Sequence, residues 1–304
     1  MKNILITGGA GNIAGSLANK LVQSKDNFVV IVDDLSTGSV NKLPPASQDN
    51  WKFIKADVNN FNDISSIMLS YRFDYVFHYA AVVGVKRTLE NPVKVLNDID
   101  GIKNILDLAK NTGVTRVFYS SSSEVYGEPV VLPQHEETTP LNSRLPYAIV
   151  KNVGEAFFRS YYKEYGLNYT IFRFFNTYGP RQSEDFVLPK FLKAAAGSTD
   201  ITLYGDGLQT RTFCFVDDNI EATINILESG KANNDTLNIG SDQEITILDL
   251  AKLIIRLTGS SSKIIHLPPL AEGDMTRRQP DICKMKEILN RPLITLEEGI
   301  RKML

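Results

Sequence analysis

The sequence predicts a doubly wound α/β fold, a parallel sheet with helices on both faces, followed by a smaller C-terminal lobe. Three observations point to it. Short apolar runs alternate with longer amphipathic ones over the first two-thirds of the chain. The short runs are nearly continuously apolar, as in strands covered on both faces. A glycine-rich turn directly follows the first of them.

Strands are expected at residues 3–7, 28–33, 51–55, 75–78, 116–120 and 169–174, all rich in Val, Ile, Phe and Tyr. Between them, helical patterns run over residues 12–24, 63–71 and 92–111. The last carries Val95, Ile99, Ile102, Leu106 and Ala109 at spacings of three and four, with Pro92 at its start and Gly113 past its end. Strands alternating with helices build a doubly wound sheet. After residue 176 the character changes: Gly179-Pro180 and Gly205-Asp206-Gly207 form turns, a helix is expected near 247–258, and a Pro-rich connection covers 267–270. The expected division is 1–176 for the sheet domain and 177–304 for the smaller lobe, with the chain returning to the first domain in places.

Composition excludes several classes. The 304 residues are 43% hydrophobic and 22% charged, ordinary for a globular protein. With 33 Lys+Arg against 35 Asp+Glu the net charge is −2, which gives no reason to expect nucleic acid or an anionic membrane as partner. Cys214, Cys283 and the scattered His78, His135 and His266 lack metal-site spacing, so no metal is expected. The two cysteines read as buried thiols in a reducing cytoplasm. The apolar stretch after Met1 is too short for a signal-peptide core, which also predicts a cytoplasmic protein.

The turn Thr7-Gly8-Gly9-Ala10-Gly11-Asn12-Ile13-Ala14-Gly15 lies between the first strand and the first helix. Gly8 permits the tight turn, and Gly11 lets the backbone approach a pyrophosphate at the helix N-terminus. Ala14 holds the third small position. This is the fingerprint of a Rossmann-type dinucleotide site. Asp33 ends the second strand, where a carboxylate accepts from ribose hydroxyls and repels a 2′-phosphate. NAD is therefore expected rather than NADP.

Hydroxyls gather at Ser120–Ser123, at the end of a candidate strand. Tyr147 and Lys151 stand at i, i+4, on one helix face. An ammonium beside a phenol lowers its pKa, which makes Tyr147 a candidate general base.

Together these residues resemble the extended short-chain dehydrogenases/reductases of the NAD-dependent epimerase/dehydratase family, which act on nucleotide sugars. The resemblance spans essentially the whole chain. It is carried by Thr7–Gly11, Val32–Gly38, Ala56-Asp57-Val58, His78–Ala81, Ser120–Gly127, Pro146–Lys151, Arg173–Arg181 and Tyr204–Phe213. It implies a catalytic set of Ser122, Tyr147 and Lys151, with Glu124 beside it. The tyrosine would take the proton of the sugar C4 hydroxyl as hydride passes to NAD, the serine would bond the same oxygen, and the lysine would hold the nicotinamide ribose. The cofactor would meet Gly8, Gly11, Asn12, Ile13, Asp33, Asp34, Ser36, Gly38, Asp57, Val58, Ala80, Ala81, Tyr147 and Lys151, with Asp57 and Val58 at the adenine. Ser122, Ser123, Asn176, Arg211, Arg277 and Arg278 would hold a UDP-, GDP- or dTDP-linked sugar. Two departures stand out. Ala14 is followed by Gly15, and Asp98 replaces an asparagine of the family's Asn-Val-x-Gly-Thr segment.

After C4 oxidation four outcomes are open. Ser123 replaces the Asp of a 4,6-dehydratase's Thr-Asp-Glu, and a serine is a poor acid for the departing C6 hydroxyl. Ser123–Gly127 and Arg277–Ile282 resemble the UDP-glucuronate decarboxylases. Those enzymes, however, have a Tyr-Asp-Glu-x-Lys type helix start and a longer Asp-Gly-Arg segment. Pro146-Tyr147-Ala148 and Gln182–Phe186 look like 4-epimerases. The expected reaction is C4 oxidation as a 4-epimerase or a 4-dehydrogenase, with decarboxylation as the alternative. Glu124 is then expected only to hydrogen-bond a sugar hydroxyl or a backbone donor. An NAD-sensing protein without turnover would have no need of the triad. The 92–111 helix and the one bearing Phe157, Phe158, Tyr161, Tyr162 and Tyr165 carry broad apolar stripes, and the resemblance extends them to a homodimer.

Overall fold

The computed structural model describes residues 1–269 and 277–304, apart from the side chains of Val85 and Lys86. Leu270, the end of the expected Pro-rich connection, lies outside the described residues. The central sheet has seven strands: β1 (Lys2–Thr7), β2 (Asn27–Asp33), β3 (Trp51–Lys55), β4 (Tyr75–His78), β5 (Arg116–Ser122), β6 (Asn168–Phe174) and the strand Asp235–Ile239. Their spatial order is Asp235–Ile239, β6, β5, β4, β1, β2, β3, and every neighbouring pair is parallel. Side chains alternate between two cores. Ile4, Ile6, Val29, Ile31, Phe77 and Phe118 pack on one face, and Leu5, Val30, Val32, Val76 and Val117 on the other. Burial on both faces explains why these strands read as unbroken apolar runs.

Strand order reverses between β1 and β4, and ligands of open α/β sheets bind at such a point, beyond the carboxyl ends of the strands. Thr7 and His78 are register partners there. Thr7 Oγ1 lies 3.0 Å from His78 Nδ1 and accepts from the amides of Tyr79 and Ala80.

Several expected boundaries shift by one or two residues, and three differences bear on the site or break an element. The strand expected at 116–120 runs on to Ser122, so the serine cluster is part of the sheet. The first helix, α1 (Asn12–Leu21), stops at Leu21 rather than residue 24. The helix expected over 92–111 is broken into Pro92–Leu96 and Asp98–Thr112. Asn97 and Asp98 at the break have short polar side chains that compete with helix amides. Asp98 Oδ2 in fact accepts from the amide of Val82, 2.8 Å away. Of the cysteines, Cys214 is buried as expected, but Cys283 is exposed because it opens a surface helix.

The C-terminal part adds short pairings of Thr177–Tyr178 with Cys214–Phe215, Ile201–Tyr204 with Ile264–Leu267, and Thr210–Thr212 with Glu244–Thr246. It also supplies the edge strand Asp235–Ile239 beside β6. No helix among the described residues is long and apolar enough to cross a membrane.

A polar network crosses this core. Arg173 on β6 and Glu155 on the Pro146–Tyr165 helix, both fully buried, form a two-pronged ion pair at 2.8 and 2.7 Å. Ser121 donates to Glu155 at 2.6 Å. Arg173 donates to Tyr126 Oη at 2.8 Å, and Tyr126 donates to Asn238 Oδ1 at 2.7 Å.

Burial holds His78 neutral, pulling its pKa from 6.5 to about 3, and the charge of Lys151 adds to the effect. Between those values the unfolded chain binds a proton that the folded chain refuses. Stability is therefore lost as pH falls from 6.5 towards 3, at up to about 1.4 kcal/mol per pH unit. Urea unfolding at pH 7 and pH 5 is expected to show a smaller acid loss in His78→Gln than in the unmutated protein. Equal losses would contradict a neutral buried imidazole.

Candidate functional site

The glycine turn is built for close approach. Gly8 has φ +71, and a Cβ there would lie 2.8 Å from the backbone of Ala80. Gly11 is the N-cap of α1 and no side chain caps that helix. Asn12 Oδ1 is buried and has no hydrogen-bond partner, and Ile13 packs against the core. Asp33 accepts from the amides of Ala10 at 3.0 Å and Leu35 at 2.8 Å. Burial pushes the Asp33 carboxyl above its ordinary pKa, although these two amides pull the other way. A Cβ on Gly38 would lie 2.6 Å from Asp33 Oδ1, so the loop folds closely over the carboxylate. An uncapped helix N-terminus, an orphaned acceptor and two positions closed to side chains fit a bound dinucleotide.

Other expected cofactor residues are spread around this turn. Asp34 and Ser36 share an exposed turn, with the Ser36 amide 2.8 Å from Asp34 Oδ1. Asp57 is exposed and its Oδ1 accepts from the amide of Asn59 at 2.9 Å. Val58 is buried, with Cγ1 beneath Gly101. Ala80 and Ala81 follow β4 and are half-buried.

Ser122, Tyr147 and Lys151 come together at the end of β5. Lys151 is 3% exposed. Its Nζ is 3.5 Å from Ser120 Oγ, 5.0 Å from the Tyr119 ring centre and 5.7 Å from that of Tyr147. Burial pulls Lys151 down to about 8, while the carboxylate of Asp98 works in the opposite direction. One expectation is corrected here. The Tyr147 phenol is not lowered: burial raises it well above its usual value, and the hydrogen bond with Ser122 only partly offsets this. Desolvation of the phenolate outweighs the favourable charges nearby.

The substrate residues divide. Arg278 and Glu124 form an ion pair at 2.7 Å, with their side chains 7% and 17% exposed. Glu124 Oε2 is buried without a hydrogen-bond partner. Ser123 is buried, and Ser122 Oγ accepts from the Glu124 amide at 3.2 Å. Both members of the ion pair feed into the electrostatics of Tyr147. Arg277 does not join its neighbour. It is exposed and pairs with Glu244 at 2.9 Å. Asn176, at φ +33, donates to Thr212 O at 3.0 Å. Arg211 donates to Thr210 O at 2.8 Å and sits opposite Ile245.

Sequence reasoning gave no role to Tyr119, Ser120 or Asp98, which surround Lys151. The signals were the place of Ser120 in the hydroxyl cluster and the departure of Asp98 from the family's asparagine. The pairing of Glu124 with Arg278 was equally hidden, since 154 positions separate them.

A family model described as GDP-mannose 4,6 dehydratase matches residues 5–303. A UDP-N-acetyl-alpha-D-glucosaminuronate decarboxylase of Bacillus cytotoxicus is 37% identical, over 99% of this chain and 96% of that protein. The structure of a UDP-glucose 4-epimerase from Thermotoga maritima with UDP-glucose superposes with TM-score 0.92 at 33% identity, covering 99% of this chain and 96% of the other. A UDP-glucose 4-epimerase of Thermus thermophilus in complex with NAD gives TM-score 0.90 at 26% identity, covering 99% and 97%. NAD is the cofactor of this group, and the turn described above fits it. The chain belongs to the extended short-chain dehydrogenases/reductases, among the NAD-dependent epimerases, decarboxylases and dehydratases of nucleotide sugars.

Proposed function

We propose that the protein decarboxylates a UDP-linked hexuronate through a 4-keto intermediate. The observation that carries this reading is the buried Glu124–Arg278 ion pair beside Ser122 and Tyr147. Epimerisation at C4 makes and breaks bonds at C4 alone and has no need of a desolvated cation and carboxylate next to it. A hexuronate does need them. Once C4 is a ketone, the C6 carboxylate is β to it, and carbon dioxide can leave with its bonding pair delocalised onto the C4 oxygen.

NAD, held by the turn of Gly8 and Gly11 with Asp33 beside it, would supply the two-electron redox chemistry at C4. Tyr147 takes the C4 hydroxyl proton and hands it back at the end. Ser122 holds the same oxygen, and also holds the enolate that forms when carbon dioxide departs. Lys151, charged below about pH 8, is the cation beneath the Tyr147 ring and the holder of the cofactor ribose. Arg278 receives the incoming carboxylate. Glu124, with one oxygen unpaired, bonds the sugar and steers the proton that C5 takes up. This replaces the expectation that Glu124 is only a hydrogen-bonding neighbour. Residues 1–176 hold the cofactor and 177–304 the nucleotide sugar, apart from the strand that returns to the sheet. The relative from Bacillus cytotoxicus supports the uronate reading. A 4-epimerase is the second reading, favoured by Pro146-Tyr147-Ala148 and by the likeness to the Thermotoga maritima enzyme.

The protein with NAD and UDP-glucuronate or its 2-acetamido analogue is expected to release carbon dioxide and a UDP-pentose, followed by NMR. Tyr147→Phe is expected to lose at least about 10²-fold of turnover, the usual scale of general acid–base catalysis, and Glu124→Gln a similar factor. Intact C6 carboxylate with inversion at C4 would overturn the proposal in favour of epimerisation.

Asp33 argues for NAD over NADP, and mass spectrometry of released cofactor is expected to find NAD. Predominant NADP would mean that Asp33 does not face the adenosine ribose. Val93, Leu96, Ile149, Tyr162 and Tyr165 are exposed along the Pro92–Leu96 and Pro146–Tyr165 helices, which supports a homodimer. Light scattering at micromolar concentration is expected to give twice the chain mass, and a monomer would refute it.

A further inference from the structure

The ion pair Glu124–Arg278 joins two segments that come from distant parts of the chain. Glu124 lies in the turn Ser123–Tyr126, directly after β5. Arg278 lies in the segment 277–281, which runs beside residue 134 through a parallel bridge between Gln134 and Pro280. The Gln134 amide donates to Gln279 O at 2.7 Å, and the Asp281 amide to Gln134 O at 2.8 Å. These backbone ties orient the segment but do not connect it to the turn bearing Glu124.

Asn238 makes that connection. It lies on Asp235–Ile239, opposite Arg173, and is fully buried. Its Nδ2 donates to Gln134 O at 2.8 Å and to Asp281 O at 3.1 Å. Its Oδ1 accepts from Tyr126 Oη at 2.7 Å, two residues beyond Glu124. Its own amide donates to Glu136 Oε1 at 2.8 Å. One primary amide thus uses both donors on the arginine-bearing side and its acceptor on the glutamate-bearing side. No other uncharged side chain of this size offers that set of groups. Tyr126 is in turn fixed by Arg173, so the link continues into the buried network beneath β5 and β6.

We infer that Asn238 is a positioning residue that sets Arg278 against Glu124, and so controls the chemistry at C5 and C6 without touching C4. The functional half of this rests on the decarboxylase reading. Loss of Asn238 would leave Ser122, Tyr147 and Lys151 in place on β5 and the Pro146–Tyr165 helix, because none of them bonds to it. Arg278 would lose its register on Glu124.

Two measurements test the inference, the first of them independently of that reading. The first is a thermal-unfolding cycle of Glu124→Gln, Asn238→Leu and the double variant. Glu124→Gln is expected to lower the Tm of the unmutated protein but to have little effect once Asn238 is replaced, because the ion pair is already lost. Additive shifts would overturn the positioning role. Asn238→Ser takes the place of Asn238→Leu if the latter does not fold. The second compares single-turnover NAD reduction with carbon dioxide release. On UDP-glucose, which has no C6 carboxylate, the Asn238 variant is expected to reduce NAD within about threefold of the unmutated rate. On UDP-glucuronate, carbon dioxide release is expected to fall by at least about tenfold. A parallel fall in both, or in neither, would overturn the inference. If the unmutated protein releases no carbon dioxide from any UDP-hexuronate, it is the decarboxylase reading that fails, and the unfolding cycle still decides whether Asn238 positions the pair.

Discussion

The site depends on one buried ion pair, that between Arg173 and Glu155. Its members come from β6 and from the helix that carries Tyr147 and Lys151, and neither is exposed to solvent. Burial pushes the Glu155 carboxyl up, but the hydrogen bonds and charge of Arg173 outweigh it and leave the carboxyl below its usual range. Breaking a pair of this kind by removing one member costs about 3–5 kcal/mol, because the other is left buried and uncompensated. That penalty ties the helix to the sheet at one register. Ser121 on Glu155 and Tyr126 on Arg173 bring the ends of β5 into the same lattice of bonds, so Ser122 and Glu124, between them, have their backbone fixed from both sides.

Within that frame, desolvation sets the charge states. Lys151 lies among Tyr119, Tyr147 and Ser120, with an acid at Asp98 that opposes its loss of charge. The same dryness raises the phenol of Tyr147, so the free protein keeps this proton. To serve as the proposed proton acceptor, Tyr147 has to be tuned as the substrate binds, and the groups beside it are the hydroxyl of Ser122 and the charges of Lys151 and Arg278. In the proposed reaction, oxidation at C4 and chemistry at C5 fall to two adjoining clusters, one on the end of β5 and its neighbouring helix, the other formed where the C-terminal segment returns.

Much of the fold was legible because its signals are local. Strands buried on both faces read as apolar runs, and the turn from Thr7 to Gly15 announces both the strand before it and the helix after it. The break at Asn97 was not legible, since it depends on Asp98 reaching an amide across a loop. Nor was the strand Asp235–Ile239, a short run that gains its meaning only by pairing with β6. The same distinction holds in the site. Tyr147 and Lys151 share a helix face and could be read from their spacing, whereas the separation of Arg277 from Arg278 and the burial of Arg278 on Glu124 are tertiary facts.

In the proposed reaction the second cluster directs bond breaking at C5. The most direct measurement is to run the reaction on a UDP-hexuronate in deuterium oxide and to locate deuterium in the product by NMR. Decarboxylation through a 4-keto sugar requires solvent to supply the proton at C5, so the expected product is a UDP-pentose carrying one deuterium at C5 and its original hydrogen at C4. A product that keeps its carboxylate and carries no deuterium at C5 would contradict it.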